Sequence, residues 1–288
     1  MSEAELTRAA LREFPLPEQS DGGKDDHGRL LIVAGSRQVP GSALLSAMAA
    51  FRSGAGKVRI ATAASVAPAM ALEMVEAFIV PLEEAEDGSC AEGSVDEVSK
   101  EAARTDAVVA GPGMMEGAIN AAIAKVLIQS GTSIAFDAAM LHALPDIAAD
   151  CRSVTTELVL LPHAREMASL IGGDEEEIER DPLGAARRAA EHYGAIVLAK
   201  GSVSHVAEPN GRAWTYRGGA RGLGVAGSGD ALAGIVGGLL ARGADPVTAL
   251  LWSVLLHGEA GEALSSKVGP VGFLAREIPG EIPSLLAR

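Results

Sequence analysis

The chain has 288 residues, of which 48% are hydrophobic and 22% are charged, and this composition is typical of a packed globular protein rather than a disordered one. The formal net charge is −14 and no basic stripe is present, which argues against nucleic acid or an anionic membrane as a partner. Two isolated cysteines, an acidic amino terminus and apolar runs too short to span a bilayer predict a soluble cytoplasmic protein.

Short apolar runs alternate with helical patterns through the first two thirds of the chain. Strands are predicted at residues 29–34, 57–61, 107–110, 133–136, 158–161 and 195–199. They lack alternation of polar and apolar residues, which is typical of strands buried on both faces. Helices are predicted at 42–53, 119–130, 164–171 and 183–193. Repeated strand–helix units predict a three-layer α/β fold, with a mostly parallel central sheet and helices on both faces.

The pattern changes in the last third. Asn210-Gly211 between the runs 204–208 and 213–217 predicts a β-hairpin. Residues 230–242 and 246–266 are predicted to be helical, while the acidic segments 82–97 and 172–181 are interpreted as surface loops. We expect a single domain over residues 1–288, in which residues 1–23 form an N-terminal extension.

The sharpest chemical signal is Gly227-Ser228-Gly229-Asp230, directly before an apolar helix. The glycines allow a tight turn that presents several backbone N–H groups to one point, and the helix amino terminus adds its positive end there. This arrangement predicts an anion hole for a phosphate. The carboxylate of Asp230 could act as a general base on a hydroxyl, or it could simply cap the helix.

Two further signals follow predicted strands. Lys200-Gly201-Ser202 ends one strand, and Lys200 could contact phosphate or extend to the solvent. His163 and Glu166 follow another strand at helical spacing, so they share one side of a helix. Glu166 could hold magnesium through water, since this ion prefers oxygen ligands and retains hydration. The alternative is a capped helix start with a solvated glutamate.

Glycine turns at 35–36, 40–42 and 111–113 and the carboxylate of Asp137 also follow predicted strands. In an open α/β sheet, ligands bind beyond the carboxyl ends of the strands, so we expect these features to lie close together. His257 and Glu259 lie within an apolar helical pattern and are interpreted as polar groups satisfied by their neighbours. No P-loop, zinc motif or complete dinucleotide-binding fingerprint is present.

Several of these segments together resemble one family. Residues 28–62 (GRLLIVAGSRQVPGSALLSAMAAFRSGAGKVRIAT), 106–114 (DAVVAGPGM), 160–172 (LLPHAREMASLIG), 197–205 (VLAKGSVSH) and 227–243 (GSGDALAGIVGGLLARG) are similar, in this order, to the ADP-dependent NAD(P)H-hydrate dehydratases of the ribokinase-like superfamily. The resemblance runs from about residue 24 to about residue 264. The segment at 227–230 alone would indicate only the wider superfamily.

The resemblance implies a metabolite-repair lyase. Such an enzyme restores NADH or NADPH from the form hydrated at C6 of the nicotinamide ring, uses ADP (or ATP) with Mg²⁺, and releases AMP and phosphate. It further implies a homo-oligomer, namely a tetramer. The site residues that it implies are these: Asp230 as catalytic base and substrate contact; Gly227, Ser228 and Gly229 as the anion hole; Lys200, Gly201, Ser202, Val203, Ser204 and Gly229 at the nucleotide; Ala43, Gly113 and His163 at the substrate; and Glu166 at magnesium through water.

The chain departs from the family pattern at Val39, Ser42, Ala139 and Leu161, which bears on substrate contacts more than on phosphate chemistry. Two other functions remain open at this point. One is a small-molecule kinase of the same superfamily, acting on a vitamin precursor or a sugar. The other is a nucleotide-binding protein that has lost catalysis. The epimerase domain that is sometimes fused to this family is expected to be absent, because the chain has no room for it.

Overall fold

The computed structural model describes residues 3–18, 23, 27–154 and 156–288. Ten strands in this part of the chain form one sheet. They are β1 (Glu3–Glu5), β2 (Arg29–Val33), β3 (Lys57–Ala63), β4 (Phe78–Leu82), β5 (Ala107–Ala110), β6 (Ser133–Phe136), β7 (Leu158–Leu160), β8 (Ile196–Ala199), β9 (Ser204–Ala207) and β10 (Ala213–Tyr216).

The strand order across the sheet is β1-β10-β9-β8-β7-β6-β5-β2-β3-β4. Among the described strands, β9 alone runs antiparallel to its neighbours, which are β8 and β10. All other neighbours are parallel. The carboxyl ends of β2, β5, β6, β7 and β8 therefore meet at one edge of the sheet, where ligands bind in open α/β folds.

Eleven helices accompany the described strands. They are α1 (Gly41–Arg52), α2 (Ala67–Glu73), α3 (Gly93–Ala102), α4 (Ile119–Ile128), α5 (Ala148–Ser153), α6 (Ala164–Ile171), α7 (Glu175–Arg180), α8 (Pro182–Tyr193), α9 (Ser228–Ala241), α10 (Pro246–Lys267) and α11 (Ile278–Leu286). Helices α1, α2, α9, α10 and α11 contribute to the apolar core on one face of the sheet. Helices α3 to α8 contribute to the core on the other face.

Strand β2 shows why these apolar runs lack alternation. Leu30 and Ile32 point into one core, whereas Leu31 and Val33 point into the other, and all four side chains are fully buried. Because successive side chains of a strand point to opposite faces, a strand covered on both faces needs apolar residues at every position. The predicted three-layer α/β fold with a mostly parallel sheet is thus confirmed.

The hairpin prediction is also confirmed. Strands β9 and β10 pair antiparallel, with Ala207 opposite Ala213. The backbone N–H of Arg212 donates to the side-chain oxygen of Asn210 at 3.0 Å, and Gly211 adopts a φ of +88°. The long apolar helix expected near the carboxyl end is α10. Within the described ranges, no helix combines the length and apolarity needed to cross a membrane.

Both acidic segments interpreted as surface loops contain regular structure, so those predictions were wrong in part. Residue 82 ends β4, and α3 begins at residue 93 within the first segment. The second segment contains α7, whose amino terminus is capped by Asp174 through a 2.8 Å bond from the Glu177 N–H. Ile178 is buried and attaches this short acidic helix to the core. One buried residue is too weak a periodic signal to reveal a helix in sequence.

The segment interpreted as an N-terminal extension is part of the sheet where it is described. Strand β1 adds in parallel to β10, and Leu6 and Leu11 are buried. The indole N–H of Trp252 donates to the Phe14 carbonyl at 2.7 Å. Strand β1 was not predicted because Glu3, Ala4 and Glu5 are exposed and carry no apolar pattern. Backbone pairing with β10 is what fixes their conformation.

Candidate active site

Successive strand ends are joined by backbone hydrogen bonds at the ligand-binding edge of the sheet. The Gly35 N–H donates to the Pro112 carbonyl at 2.8 Å, and the Asp137 N–H donates to Ala110 at 3.0 Å. The Lys200 N–H donates to the Pro162 carbonyl at 2.9 Å. These bonds hold the segments after β2, β5, β6, β7 and β8 at fixed spacing. The structure therefore brings the strand-end features of the sequence to one place.

Helix α9 begins at this edge, directly after a left-handed glycine. Gly227 has a φ of +90°, and a Cβ at this position would lie 2.5 Å from the Cδ1 of Leu45. A larger residue is therefore disfavoured both by conformation and by space. The Ser228 N–H donates to the Val225 carbonyl at 3.2 Å, so the first turn of α9 offers the N–H of Gly229 at the positive end of the helix, which favours an anion.

Asp230 is not a simple helix cap. The N-cap position is occupied by Gly227, and no side chain caps this helix. Asp230 lies in the first turn, where its carbonyl accepts a hydrogen bond from the Ser46 hydroxyl at 2.9 Å. The capping interpretation, which was the alternative to a catalytic role, is therefore wrong. The Asp230 carboxylate therefore makes no capping hydrogen bond to the helix backbone.

The pKa of Asp230 is shifted upward, although the residue lies in the first turn of α9. Burial raises the pKa of Asp230 above its ordinary value. A hydrogen bond from Ser42 and the charge of Lys200 lower the pKa, and the charge of Asp137 raises it. The net shift is upward, because desolvation penalises the ionised form. A carboxylate with a raised pKa is a stronger base than an ordinary aspartate.

Lys200 is the central cation of the site. Its ammonium lies 2.6 Å from Oδ1 of Asp137 and 3.7 Å from Oε2 of Glu166. Burial alone would lower the pKa of Lys200, but Asp137 and Glu166 outweigh it, and the pKa is raised. One interpretation of the sequence had Lys200 extending to the solvent. The structure instead pairs its side chain with carboxylates inside the protein. A Cβ at Gly229 would lie 3.7 Å from Nζ, so the ammonium reaches the start of α9.

A cleft of about 800 Å³ opens beside Lys200 and the start of α9. Its described lining includes the expected nucleotide residues Lys200, Gly201, Ser202, Ser204 and Gly229, and also His163. Val203, the remaining residue of that set, lines an adjoining pocket with Lys200 to Ser202. All residues of the predicted nucleotide set therefore line two adjoining pockets that share Lys200.

The charge of the larger cleft contrasts with the charge of the protein. None of the described residues lining it is Asp or Glu, although the chain has 38 acidic residues. The lining includes Lys200, Arg217 and Arg221. Within the described ranges, neither guanidinium makes an ion pair or hydrogen bond. Such a pocket attracts anions even on an acidic protein, because local charge decides the field in a cleft.

Glu166 and His163 start helix α6 as a reciprocal pair. The His163 N–H donates to Oε2 of Glu166 at 2.8 Å, and the Glu166 N–H donates to Nδ1 of His163 at 3.4 Å. The capped helix start is present, but Glu166 is buried rather than solvated. Both of its oxygens have partners, and no group of three His, Cys, Asp or Glu in the described residues could hold a metal. The assignment of Glu166 to magnesium through water stays a prediction.

The expected substrate residues lie on different sides of Lys200. A Cβ at Gly113, which has a φ of +65°, would lie 2.5 Å from the Cβ of Ser42, so Gly113 packs beside the partner of Asp230. Ala43, the next residue, is fully buried. His163 lines the nucleotide cleft. The substrate contacts assigned to Ala43, Gly113 and His163 stay predictions.

Sequence reasoning left two site features without a role. Asp137 was noted only as a strand-end residue, yet it is buried and bonded to Lys200, which is 63 positions away. His257 is bonded to Ser228 in the first turn of α9 at 3.0 Å. The interpretation of His257 and Glu259 as groups satisfied by neighbours is confirmed, with Glu259 paired to Arg8. No local spacing links these partners, so only the fold could reveal them.

The chain matches the model of the NAD(P)H-hydrate dehydratase family over residues 30–284. It is 45% identical to the ADP-dependent (S)-NAD(P)H-hydrate dehydratase of Xanthomonas campestris, over 98% of this chain and 96% of that protein. It is also 32% identical to the bifunctional NAD(P)H-hydrate repair enzyme Nnr of Moorella thermoacetica. That match covers 98% of this chain and 53% of the longer protein.

The fold is similar to that of an ADP/ATP-dependent NAD(P)H-hydrate dehydratase from Bacillus subtilis, which was co-crystallised with ATP/Mg²⁺. The TM-score is 0.84 at 26% identity, and the match covers 99% of this chain and 98% of the other. The predictions of a ribokinase-like fold and of this family's dehydratase activity are thereby confirmed. The chain belongs to the NAD(P)H-hydrate dehydratase family.

Proposed function

We propose that this protein uses ADP to dehydrate the hydrated forms of NADH and NADPH, releasing AMP and phosphate, with Asp230 as the base. One observation carries the assignment of residues. Asp230 follows directly on the anion site at Ser228 and Gly229, yet the described lining of the nucleotide cleft does not include it. Its carboxylate is bonded by Ser42 instead. A phosphate at the helix start would thus lie between the cleft and the base.

The two sides of Lys200 support a two-step reaction. Asp230 removes the proton from the C6 hydroxyl of the hydrated ring, and the hydroxyl oxygen attacks the terminal phosphorus of ADP. The bond to the bridging oxygen breaks, and AMP leaves. The phosphorylated C6 oxygen is then a good leaving group, so loss of phosphate from C6 and of a proton from C5 restores the ring double bond. A positioned base contributes roughly 10²–10⁴-fold to such a step.

The anion hole and Lys200 stabilise the charge of the transferring phosphoryl group. The N–H of Gly229 lies in the first turn of α9, and the ammonium of Lys200 is held beside this residue by Asp137. Donors fixed in this way need no reorganisation when charge develops. We assign the nucleotide to residues 200–204 and Gly229, and the hydrated ring to the side of Ser42 and Gly113. Magnesium, held by phosphate oxygens and by water on Glu166, would neutralise further charge.

The direct test is to incubate the purified protein with hydrated NADH and ADP and to follow the return of absorbance of the reduced nicotinamide ring. AMP and inorganic phosphate should appear in equal amounts with the restored cofactor. Replacing ADP by ATP identifies the donor, and hydrated NADPH tests the second substrate. Omission of either component gives the background rate. Nucleotide binding without any restored cofactor would support an inactive nucleotide-binding protein instead.

A small-molecule kinase would use the same anion hole and the same aspartate. The two functions differ in the fate of the phosphoryl group. A kinase leaves a phosphorylated product that persists, whereas the dehydratase ends with free phosphate. Phosphorus NMR of the complete reaction distinguishes the two outcomes. The family match over residues 30–284 favours the dehydratase.

Homo-oligomeric assembly, as a tetramer, is part of the same proposal. Strand β4 pairs only with β3 among the described strands, so it leaves one edge of the sheet open. Leu72, Val75 and Phe78 lie exposed beside this edge, with 83%, 75% and 58% of their surface accessible. An open edge with apolar neighbours favours association with another chain. Light scattering that detects only single chains at micromolar concentration would contradict the proposal.

We also propose that the protein is cytoplasmic. Cys90 and Cys151 are free thiols, and burial raises the pKa of each to about 11. Such thiols stay protonated and unreactive, and they form no disulfide that an oxidising compartment would provide. Fractionation of the producing cells tests this placement.

A further inference from the structure

His257 is a half-buried side chain on α10 that reaches the first turn of α9. Its Nε2 atom lies 3.0 Å from the hydroxyl oxygen of Ser228 and 3.1 Å from the carbonyl oxygen of the same residue. Both residues line the nucleotide cleft. Burial lowers the pKa of His257 to about 4, with the charge of Lys200 acting in the same direction, so the ring is neutral at physiological pH.

The bond to the carbonyl decides which ring nitrogen carries the proton. A carbonyl oxygen can only accept, so Nε2 must be the protonated nitrogen. A neutral imidazole has one N–H, which leaves Nδ1 without a proton. The same N–H lies within reach of the Ser228 hydroxyl oxygen, which therefore accepts on this side. The hydroxyl proton of Ser228 cannot point at His257 and must be donated elsewhere.

We infer that His257 is a positioning residue that holds the Ser228 hydroxyl as a donor toward the terminal phosphate of the nucleotide. This inference rests on the proposed binding of ADP at the start of α9. The hydroxyl adds a side-chain donor beside the backbone N–H of Gly229, whereas the Ser228 N–H already donates to the Val225 carbonyl. A serine hydroxyl in water rotates freely, so fixing its direction before binding removes an entropic cost and a misdirected dipole.

The inference predicts a selective loss at one phosphate. In His257→Leu the ring N–H is absent, and the Ser228 hydroxyl is free to turn toward its own carbonyl or other acceptors. The affinity for ADP should fall roughly tenfold, because a hydrogen bond to a charged group is weakened but not deleted. The affinity for AMP, which lacks the terminal phosphate, should change less than about twofold. His257→Gln, whose amide can donate in place of Nε2, should recover most of the ADP affinity.

Calorimetric titration of ADP and AMP, without substrate, measures these effects in the whole protein. Ser228→Ala should lower ADP affinity at least as much as His257→Leu. The double variant should be no worse than Ser228→Ala, because the two residues act through one hydroxyl. His142→Leu is a matched control. His142 also bonds a serine, Ser169, at 2.9 Å, and it lies outside the described lining of the cleft.

Three results would overturn the inference. The first is an equal loss of ADP and AMP affinity in His257→Leu, and the second is full additivity with Ser228→Ala. The third comes from nitrogen NMR of the histidine rings, where a proton on Nδ1 of His257 would contradict the assigned tautomer. The proposed function fails separately, in the dehydration assay. A wild-type protein that binds ADP but restores no cofactor would still allow the binding measurements to test His257.

Discussion

The two sides of Lys200 are built from neighbouring strand ends, yet they carry opposite charge. The nucleotide side has Arg217 and Arg221, and no Asp or Glu occurs in the described lining of its cleft. The other side has the buried carboxylate of Asp137 and the partly buried carboxylate of Asp230. Lys200 separates the two, and its ion pair with Asp137 keeps both in place.

The contrast shows how one acidic protein can bind a charged phosphate donor and also activate an uncharged hydroxyl group. Phosphates need cations and N–H groups, whereas proton removal from a hydroxyl needs a carboxylate of raised pKa. Mixing the two in one pocket would pair the base with a cation and lower its pKa. Burial next to Asp137 instead raises the pKa of Asp230. Replacing residues on one side of Lys200 at a time tests whether the cationic and the acidic side act separately.

Asp230→Asn removes the base while leaving the nucleotide side intact. Turnover should fall roughly 10²–10⁴-fold, the usual contribution of a general base, with ADP affinity nearly unchanged. In the wild type, the rate should fall as pH falls through the raised pKa of Asp230. Steady-state kinetics and ADP titration check both points. A folded variant with a near-normal rate would remove the base assignment but not the family assignment.

The same variant has a predicted effect on stability. A carboxylate with a raised folded-state pKa binds its proton more tightly in the native protein, so its contribution to stability falls as pH rises from the unfolded to the folded pKa. At neutral pH the ionised Asp230 therefore costs free energy of unfolding, and Asn avoids this cost. Urea unfolding should show Asp230→Asn to be as stable as the wild type or more stable. Loss of stability would indicate a structural role.

Lys200→Met removes the cation that lies between the nucleotide cleft and the carboxylates of Asp137 and Asp230. It leaves the Asp137 carboxylate buried without its cation, and breaking a buried ion pair costs about 3–5 kcal/mol of unfolding free energy. The raised pKa of Lys200 means that the wild type keeps this stabilisation below the unfolded value of 10.5 and loses it as pH rises through the folded pKa. Urea unfolding at neutral pH measures the loss.

The partner change gives the matched control for Lys200. Asp137→Asn in the Lys200→Met background removes the unpaired charge and should recover much of the lost stability. It should not recover activity, because the ammonium at the start of α9 is still missing. Equal stability of Lys200→Met with and without Asp137→Asn would show that the ion pair is not the source of the loss.

Glu166→Gln separates capping from magnesium binding. Gln also serves in a reciprocal cap, so the stability of α6 should be largely kept. Its amide cannot hold the waters of a cation as a carboxylate does, and the Mg²⁺ concentration for half-maximal rate should rise roughly tenfold. Glu277→Gln is the control, since Glu277 accepts a bond from the Leu274 N–H at 2.6 Å in the same way. Equal magnesium dependence in both variants would contradict the role of Glu166.

The sequence predicted those features whose signals are local or repeated. Buried strands have continuous apolar runs, and the turn at 227–230 has glycines at the positions where the backbone must be free, so both are readable. Strand β1 is exposed and acidic, and its conformation depends on β10, which lies more than 200 residues away. The contacts of Lys200 with Asp137 and of His257 with Ser228 are also non-local, since the partners lie 63 and 29 residues apart.

The direction of the pKa shift of Asp230 could not be predicted either. The sequence places Asp230 at a helix amino terminus, and this feature alone lowers a carboxylate pKa. The degree of burial and the proximity of Asp137 depend on how β6 and α9 meet, and together they outweigh the hydrogen bond from Ser42 and the charge of Lys200. Sequence therefore located the chemical groups, whereas their electrostatic environment required the packed structure.

The smallest expected effect is at the two cleft arginines, and it tests the nucleotide side alone. Arg217 and Arg221 are exposed, so each should contribute no more than an exposed ion pair. Arg221→Gln or Arg217→Gln should raise the KM for ADP roughly two- to fivefold and leave turnover nearly unchanged. The effect should shrink as salt increases, because exposed charges are screened. Arg52→Gln is the control, since Arg52 ends α1 at the opposite end of that helix from Ser42.

If the arginines instead touched the reacting atoms, their replacement would lower turnover at saturating ADP and would do so at high salt as well. If they served only solubility, the KM would match that of Arg52→Gln at every salt concentration. A salt-dependent change confined to KM is thus the result that assigns them to attracting the nucleotide.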